Sequence, residues 1–327
     1  MQRIGTFIRY RLLRSKMFYI TTFLLVLPWL IPVNRYQPAP DYKPFPDSHF
    51  MYVNGTRYHF RLNEPVGDSI KGNVIFIHGF AGNTFSWRKN TEILVSNGYR
   101  VLLVDLPAFG YSDKSQSADF SDVSRVKAIW KICDSISSNR WNIIGHSMGG
   151  GVAGAMAALH PERTQSVVFT DGVYITPKEK PGIGSAISGA VITSSYVQRW
   201  VDVAAKYGFI NEDSFKKLLS DAYACEADSD AVRGYLEPFR IRRSASAIFD
   251  MSAFTDWPPI SDHTLNMPML IVWGSKDTWV PVASGKSFAQ LHRVSDFIII
   301  EGAGHCPMET HADQYNKAVL QFLQSNN

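Results

Sequence analysis

The chain has few cysteines, no concentrated basic face in its body and no phosphate loop, and each lack removes a class of function. Cys133, Cys225 and Cys306 are the only thiols in 327 residues, and no two are close in sequence. An odd, widely spaced set builds neither a disulfide framework nor a zinc site; a single bridge stays open, but buried free thiols are the simpler reading. Cys306 directly follows His305, which places it near any site that uses that histidine. Net charge is +4, yet Arg3, Arg9, Arg11, Arg14 and Lys16 all precede the first acid, Asp41, so the rest of the chain carries −1. That balance offers no electrostatic footprint for nucleic acid. Gly149-Gly150-Gly151 lacks the lysine and hydroxyl of a phosphate loop. No metal-ligand or nucleotide pattern is present, so no cofactor and no metal is expected, and there is no internal repeat.

What the amino terminus does have is an uncharged run, residues 17–33, rich in Phe, Leu, Ile, Trp and Val. As a helix it spans about 25 Å, a little short of the ~30 Å hydrocarbon core, with Pro28 and Pro32 to kink or end it. A cleaved signal peptide or a peripheral amphipathic segment has a similar layout, but no small-residue cleavage site follows. The reading is an uncleaved transmembrane signal anchor over 17–33, with 1–16 as a cytoplasmic basic segment. The remainder of the chain then lies on the extracytoplasmic side, periplasmic in a Gram-negative cell. Pro38, Pro40, Pro44 and Pro46 make 34–49 a stiff tether. Oligomeric state is not encoded in any recognisable pattern.

From residue 50 onward the pattern is that of a globular body. Runs at 50–53 and 57–62 flank Asn54-Gly55, a type I′ hairpin signal. Short apolar runs at 74–77, 99–104, 141–144, 166–169, 269–272 and 297–300 read as buried strands, and 123–136 and 148–159 as helices between them. Alternation of this kind predicts an α/β fold with a mostly parallel sheet flanked by helices. The rhythm breaks over 176–266, where helix-like segments at 190–206, 213–225 and 231–241 suggest a helical cap inserted between a first core part, 50–175, and a second, 267–327.

Gly145-His146-Ser147-Met148-Gly149 lies between a predicted strand and a predicted helix. A serine hydroxyl becomes a useful nucleophile when a tight turn exposes it beside a base and backbone N–H donors. The flanking glycines allow that turn, and the helix start behind Ser147 aims N–H groups at developing negative charge. Further on stand Gly274 to Pro281, containing Asp277, and Gly302-Ala303-Gly304-His305. Residues 50–325 resemble the α/β-hydrolase fold family, in which serine, acid and histidine occur in this chain order.

The resemblance implies that Ser147 attacks a carbonyl, that His305 moves the proton and that Asp277 orients the imidazole. It also implies an oxyanion hole from the backbone N–H groups of Phe80, in His78-Gly79-Phe80, and Met148. His78 is then structural. Asp250 is the rival acid, but no buried strand precedes it. A second family turn spans Asp105 to Ser112, with Ala108 where glycine is common. Serine at the elbow argues against the dehalogenases and epoxide hydrolases, which place aspartate there. His49, His59, His160, His263, His292 and His311 are scattered, and structural roles are expected for each.

The leading expectation is a membrane-anchored, esterase- or lipase-like serine hydrolase acting on carboxylic esters, with a hydrophobic or lipid-like small-molecule substrate such as a monoacylglycerol or lysolipid. Within the fold the alternative is a carbon–carbon hydrolase of ring-cleavage diketones; perhydrolase or haloperoxidase chemistry is a possible side reaction. Outside enzymology the alternative is a membrane-tethered binding protein.

Overall fold

The computed structural model describes residues 2–33, 36–39, 41–67, 69–173, 191, 193–252 and 265–326, with side chains from Lys16 onward. The strands are β1 Ser48–Val53, β2 Thr56–Asn63, β3 Gly72–Ile77, β4 Tyr99–Val104, β5 Trp141–His146, β6 Thr164–Thr170, β7 Met269–Gly274 and β8 Asp296–Ile300. The helices are α1 Gln2–Leu30, α2 Thr91–Ser96, α3 Asp122–Ile136, α4 Met148–Leu159, α5 Ser195–Ala204, α6 Glu212–Tyr223, α7 Ser229–Phe239, α8 Ser244–Ser252, α9 Val282–Leu291, α10 Pro307–Thr310 and α11 Ala312–Ser325.

Among the described residues these strands form one sheet in the order β1-β2-β4-β3-β5-β6-β7-β8. The hairpin pair β1 and β2 runs antiparallel and meets β4 antiparallel; every other neighbour is parallel. Asn54 and Gly55 both have positive φ, 51° and 85°, as a type I′ turn requires. The apolar runs of the inner strands serve both faces. Ile75, Ile77, Ile143, Val167, Phe169 and Ile271 pack toward α3 and α4, whereas Val74, Phe76, Ile144, Val168 and Val272 pack toward α2 and α11. Period-two alternation inside a continuous apolar run is what a sheet covered on both sides produces.

Helices α5 to α8 lie between β6 and β7. The first three match the helix-like segments read from sequence; α8 was not foreseen. Those parts of the expected 176–266 insertion at 176–190, 192 and 253–264 lie outside the described residues.

The expected transmembrane anchor and single-pass membrane location require correction. Among the described residues no helix is long and apolar enough to cross a membrane. Helix α1 ends at Leu30, so its uncharged part, residues 17–30, is about 21 Å long against a ~30 Å hydrocarbon core. Its carboxyl end is docked on protein instead. Pro28 has no N–H for the carbonyl of Leu24 one turn earlier, and the Tyr196 hydroxyl donates to that oxygen at 3.2 Å. The Arg199 guanidinium donates to the carbonyls of Pro28 and Ile31, both at 2.7 Å, meeting the negative end of the helix. The described residues of the proline-rich segment also touch the body. Tyr36 bridges Ile241, and the Phe45 ring lies under Arg61 and against Tyr111.

Candidate active site

Ser147 occupies the turn from β5 into α4 with φ 52° and ψ −121°, a conformation costly for any side chain. The turn holds because its neighbours are small. A Cβ on Gly145 would come within 2.2 Å of the Gly149 carbonyl oxygen, and one on Gly149 within 2.3 Å of the Ile77 oxygen. The Ser147 N–H is used by the Thr170 carbonyl at 2.9 Å, which fixes the elbow to β6. Met148 opens α4, where N–H groups lack a carbonyl one turn earlier. The His78-Gly79-Phe80 turn presses on the same point: a Cβ on Gly79 would lie 2.9 Å from Ser147 Cβ.

His305 follows β8 and its ring is almost fully buried. Its Nδ1 lies 2.8 Å from Asp277 Oδ2. The other Asp277 oxygen accepts from the N–H groups of Trp279, at 2.8 Å, and Val280, at 3.0 Å. Burial alone would raise the Asp277 carboxyl; the His305 hydrogen bond and charge, with those two amides, outweigh it and hold the group below the usual carboxylate range. The Trp279 ring flanks the imidazole at 5.3 Å. Ser147 and His305 line one small pocket of about 100 Å³ together with Gly79, Phe80, Trp279 and Cys306. A larger cavity of about 1110 Å³ shares Phe80, Ala81, Phe215 and Leu218 with it and extends along α5, α6 and α8.

The remaining sequence candidates separate cleanly. His146 Nε2 donates to the His305 carbonyl oxygen at 2.7 Å, and burial, then the nearby His305, lowers its pKa to about 3. It is a neutral brace under the histidine loop. His78 is also buried and neutral; its Nδ1 donates to Gly79 O and its Nε2 accepts from Leu106 N–H. Asp250 pairs with Arg243 at 2.7 Å and with Gln198, so the rival acid already has partners of its own. Ala108 adopts φ 76°, the left-handed conformation that glycine would take more easily. Cys133 and Cys306 are buried free thiols, but Cys225 is exposed.

Two groups beside the site went unnoticed in the sequence. Asp171, just after β6, is fully buried near Asp277 and His305. Glu309, also buried, accepts from Tyr223 at 2.7 Å, from Tyr235 and from Arg88, tying α6 and α7 to α10. Neither residue belongs to a short motif, and the only signal for Asp171 was an acid ending a buried strand.

A family model for the alpha/beta hydrolase fold matches residues 72–312. The chain belongs to the α/β-hydrolase fold family. A curated relative, a 2-hydroxy-6-oxononadienedioate/2-hydroxy-6-oxononatrienedioate hydrolase of Dechloromonas aromatica (strain RCB), is 27% identical over 259 residues, covering 76% of this chain and 86% of the relative. Among solved structures, a membrane phospholipase A described as a bacterial virulence factor superposes with a TM-score of 0.66 at 20% identity, covering 99% of both chains. A meta-cleavage product hydrolase of Pseudomonas fluorescens IP01 gives 0.65 at 22% identity over 85% of this chain and 98% of its own. At those identities the two structures speak for the fold alone. The named activity of the curated relative is the carbon–carbon alternative of the sequence reading and not its carboxylic-ester expectation.

Proposed function

We propose that this α/β hydrolase uses Ser147 as nucleophile, His305 as general base and then acid, Asp277 as the orienting carboxylate, and the Phe80 and Met148 amides as oxyanion donors. The observation that carries the reading is the strained Ser147 turn opening into the same pocket as a histidine whose Nδ1 is already held by an ionised carboxylate. For the bond cleaved, the carbon–carbon bond beside the carbonyl of a vinylogous diketone is preferred, on the strength of the relatives' named activity. Ser147 Oγ adds to the carbonyl while His305 Nε2 takes its proton. The carbon–carbon bond then breaks, its electron pair leaves as a dienolate spread over the vinylogous carbonyl, and His305 returns the proton to that fragment. Water, deprotonated by His305, releases the acid from Ser147.

Ester hydrolysis is a second reading, favoured by one observation. The larger cavity is walled by Val201, Phe209, Ile210, Phe239 and Ile248, and Lys217 is the one cation among its described lining residues. An apolar acyl chain suits that wall better than a dicarboxylate does. The deciding measurement is kcat/KM for a 2-hydroxy-6-oxo-dienoate substrate beside p-nitrophenyl esters of rising chain length and a monoacylglycerol. Faster carbon–carbon cleavage supports the first reading; long-chain ester turnover without diketone cleavage replaces it with the second.

A further inference from the structure

Behind the Asp277–His305 pair lies a second carboxyl group in an unusual position. Asp171 follows β6, is fully buried and holds φ at 46°, a conformation that Asp and Asn tolerate better than most residues. Its Oδ1 accepts the Gly274 N–H at 2.8 Å, while its Oδ2 is buried with no hydrogen-bond donor. One side-chain ligand atom each from Asp171, Asp277 and His305 lies within 4.8 Å of the other two. The titratable groups that face Asp171 among the described residues are Asp277, His305, Cys306 and Tyr315. None of them is a permanent cation, so two ionised carboxylates there would repel each other in a dry setting.

We propose that Asp171 is a neutral carboxylic acid whose Oδ2–H donates to the carboxylate of Asp277, which makes Asp171 the positioning residue for the acceptor of the His305 Nδ1–H bond. Burial, joined by the charge of Asp277, pushes the Asp171 carboxyl well above its usual range, whereas Asp277 is held below its own. Two neighbouring carboxyls driven apart in this way take complementary roles, one as acid and one as base. The donor keeps the Asp277 plane from rotating off the imidazole. It also draws off part of the negative charge, so the imidazolium is stabilised less than by a bare carboxylate.

The proposal rests on the assignment of Ser147, His305 and Asp277, and its test reads separately from that assignment. Asp171→Ala should lower kcat about ten-fold with KM unchanged and move the acid limb of kcat/KM to higher pH, because an undamped Asp277 holds the His305 proton more firmly. Asp171→Asn keeps a donor and suits the positive φ; it should recover most of the lost kcat with the acid limb at the wild-type position. An acid limb displaced to lower pH in Asp171→Asn overturns the proposal, since that shift means a negative charge was removed. A wild-type minus Asp171→Asn infrared difference spectrum at neutral pH should show a carboxylic-acid C=O band, and a carboxylate band in its place also overturns it. The spectrum needs no substrate and stands even if Asp171→Ala does not fold. Continued turnover by Ser147→Ala would sink the catalytic assignment and leave the protonation of Asp171 as measured.

Discussion

Among the described residues two Ser–His–Asp groupings stand out, and Ser147 of the second opens onto a pocket lined by Phe80. In the first, Ser48 Oγ lies 2.8 Å from His59 Nε2 and His59 Nδ1 lies 2.7 Å from Asp105 Oδ2. In the second, His305 Nδ1 lies 2.8 Å from Asp277 and shares a pocket with Ser147. The two share the His–Asp hydrogen bond, and the Ser–His hydrogen bond is closed only in the first. What also differs is everything around it. Ser48, His59 and Asp105 have no solvent exposure, Ser48 sits in the extended backbone of β1, and its Oγ also accepts the Phe45 N–H. Ser147 is half-buried, strained and flanked by a helix start. Access, backbone strain and nearby donors, more than the shared His–Asp hydrogen bond, are thus what the proposed catalytic role of the second array rests on.

The largest effect should separate the arrays by activity. Ser147→Ala is expected to lower kcat by ~10⁴-fold or more, and Asp277→Asn by ~10³- to 10⁴-fold. Ser48→Ala should leave kcat and KM unchanged. A fluorophosphonate should label Ser147 and spare Ser48, as read by peptide mass. Labelling at Ser48, or wild-type turnover by Ser147→Ala, would erase the distinction.

Stability should separate them in the opposite direction. Asp105 accepts from His59, from Thr84 N–H at 2.6 Å and from Tyr111 N–H at 2.8 Å. Burial alone would raise its carboxyl, but the His59 charge and hydrogen bond and the Tyr111 amide hold it far below the usual range. Asp105→Asn turns an amide NH₂ toward these donors and should cost ~3 kcal/mol in urea unfolding at pH 7. A depressed folded pKa gives stability that is complete above the unfolded value, near 4, and is lost as pH falls through it toward the folded one. The gap between wild type and Asp105→Asn should therefore narrow below about pH 4. A gap that persists undiminished to pH 3 would mean that Asp105 is not the ionised member of the clamp.

The two arrays were unequally visible in the sequence, for physical reasons. Gly145-His146-Ser147-Met148-Gly149 and His305 sit at strand ends where local motifs carry the geometry. Asn54-Gly55 likewise dictates its own turn. Ser48, His59 and Asp105 come together only because β1 pairs with β2 and β2 with β4, so no window of sequence contains them. Asp171 was invisible for the same reason: its partners arrive from β7 and from the loop after β8. The amino-terminal helix was misread because the apolar run of 17–33 outlasts the helix, which ends at Leu30. Its carboxyl end is met by Tyr196 and Arg199, whose contribution depends on where α5 falls.

The smallest expected effect is one of sign and concerns backbone alone. At φ 52° and ψ −121° the Cβ of residue 147 is strained, whereas residue 48 lies in ordinary strand conformation. Replacing alanine by glycine at 147 should relieve that strain, so Ser147→Gly should be more stable than Ser147→Ala by ~1 kcal/mol. At 48 the same change adds unfolded-chain entropy without relieving anything. Ser48→Gly should thus be less stable than Ser48→Ala by ~0.5–1 kcal/mol. Using alanine as the reference at both sites removes the lost hydroxyl from the comparison, so thermal unfolding of the four variants reports strain directly. Equal signs at the two positions would show that the elbow stores none.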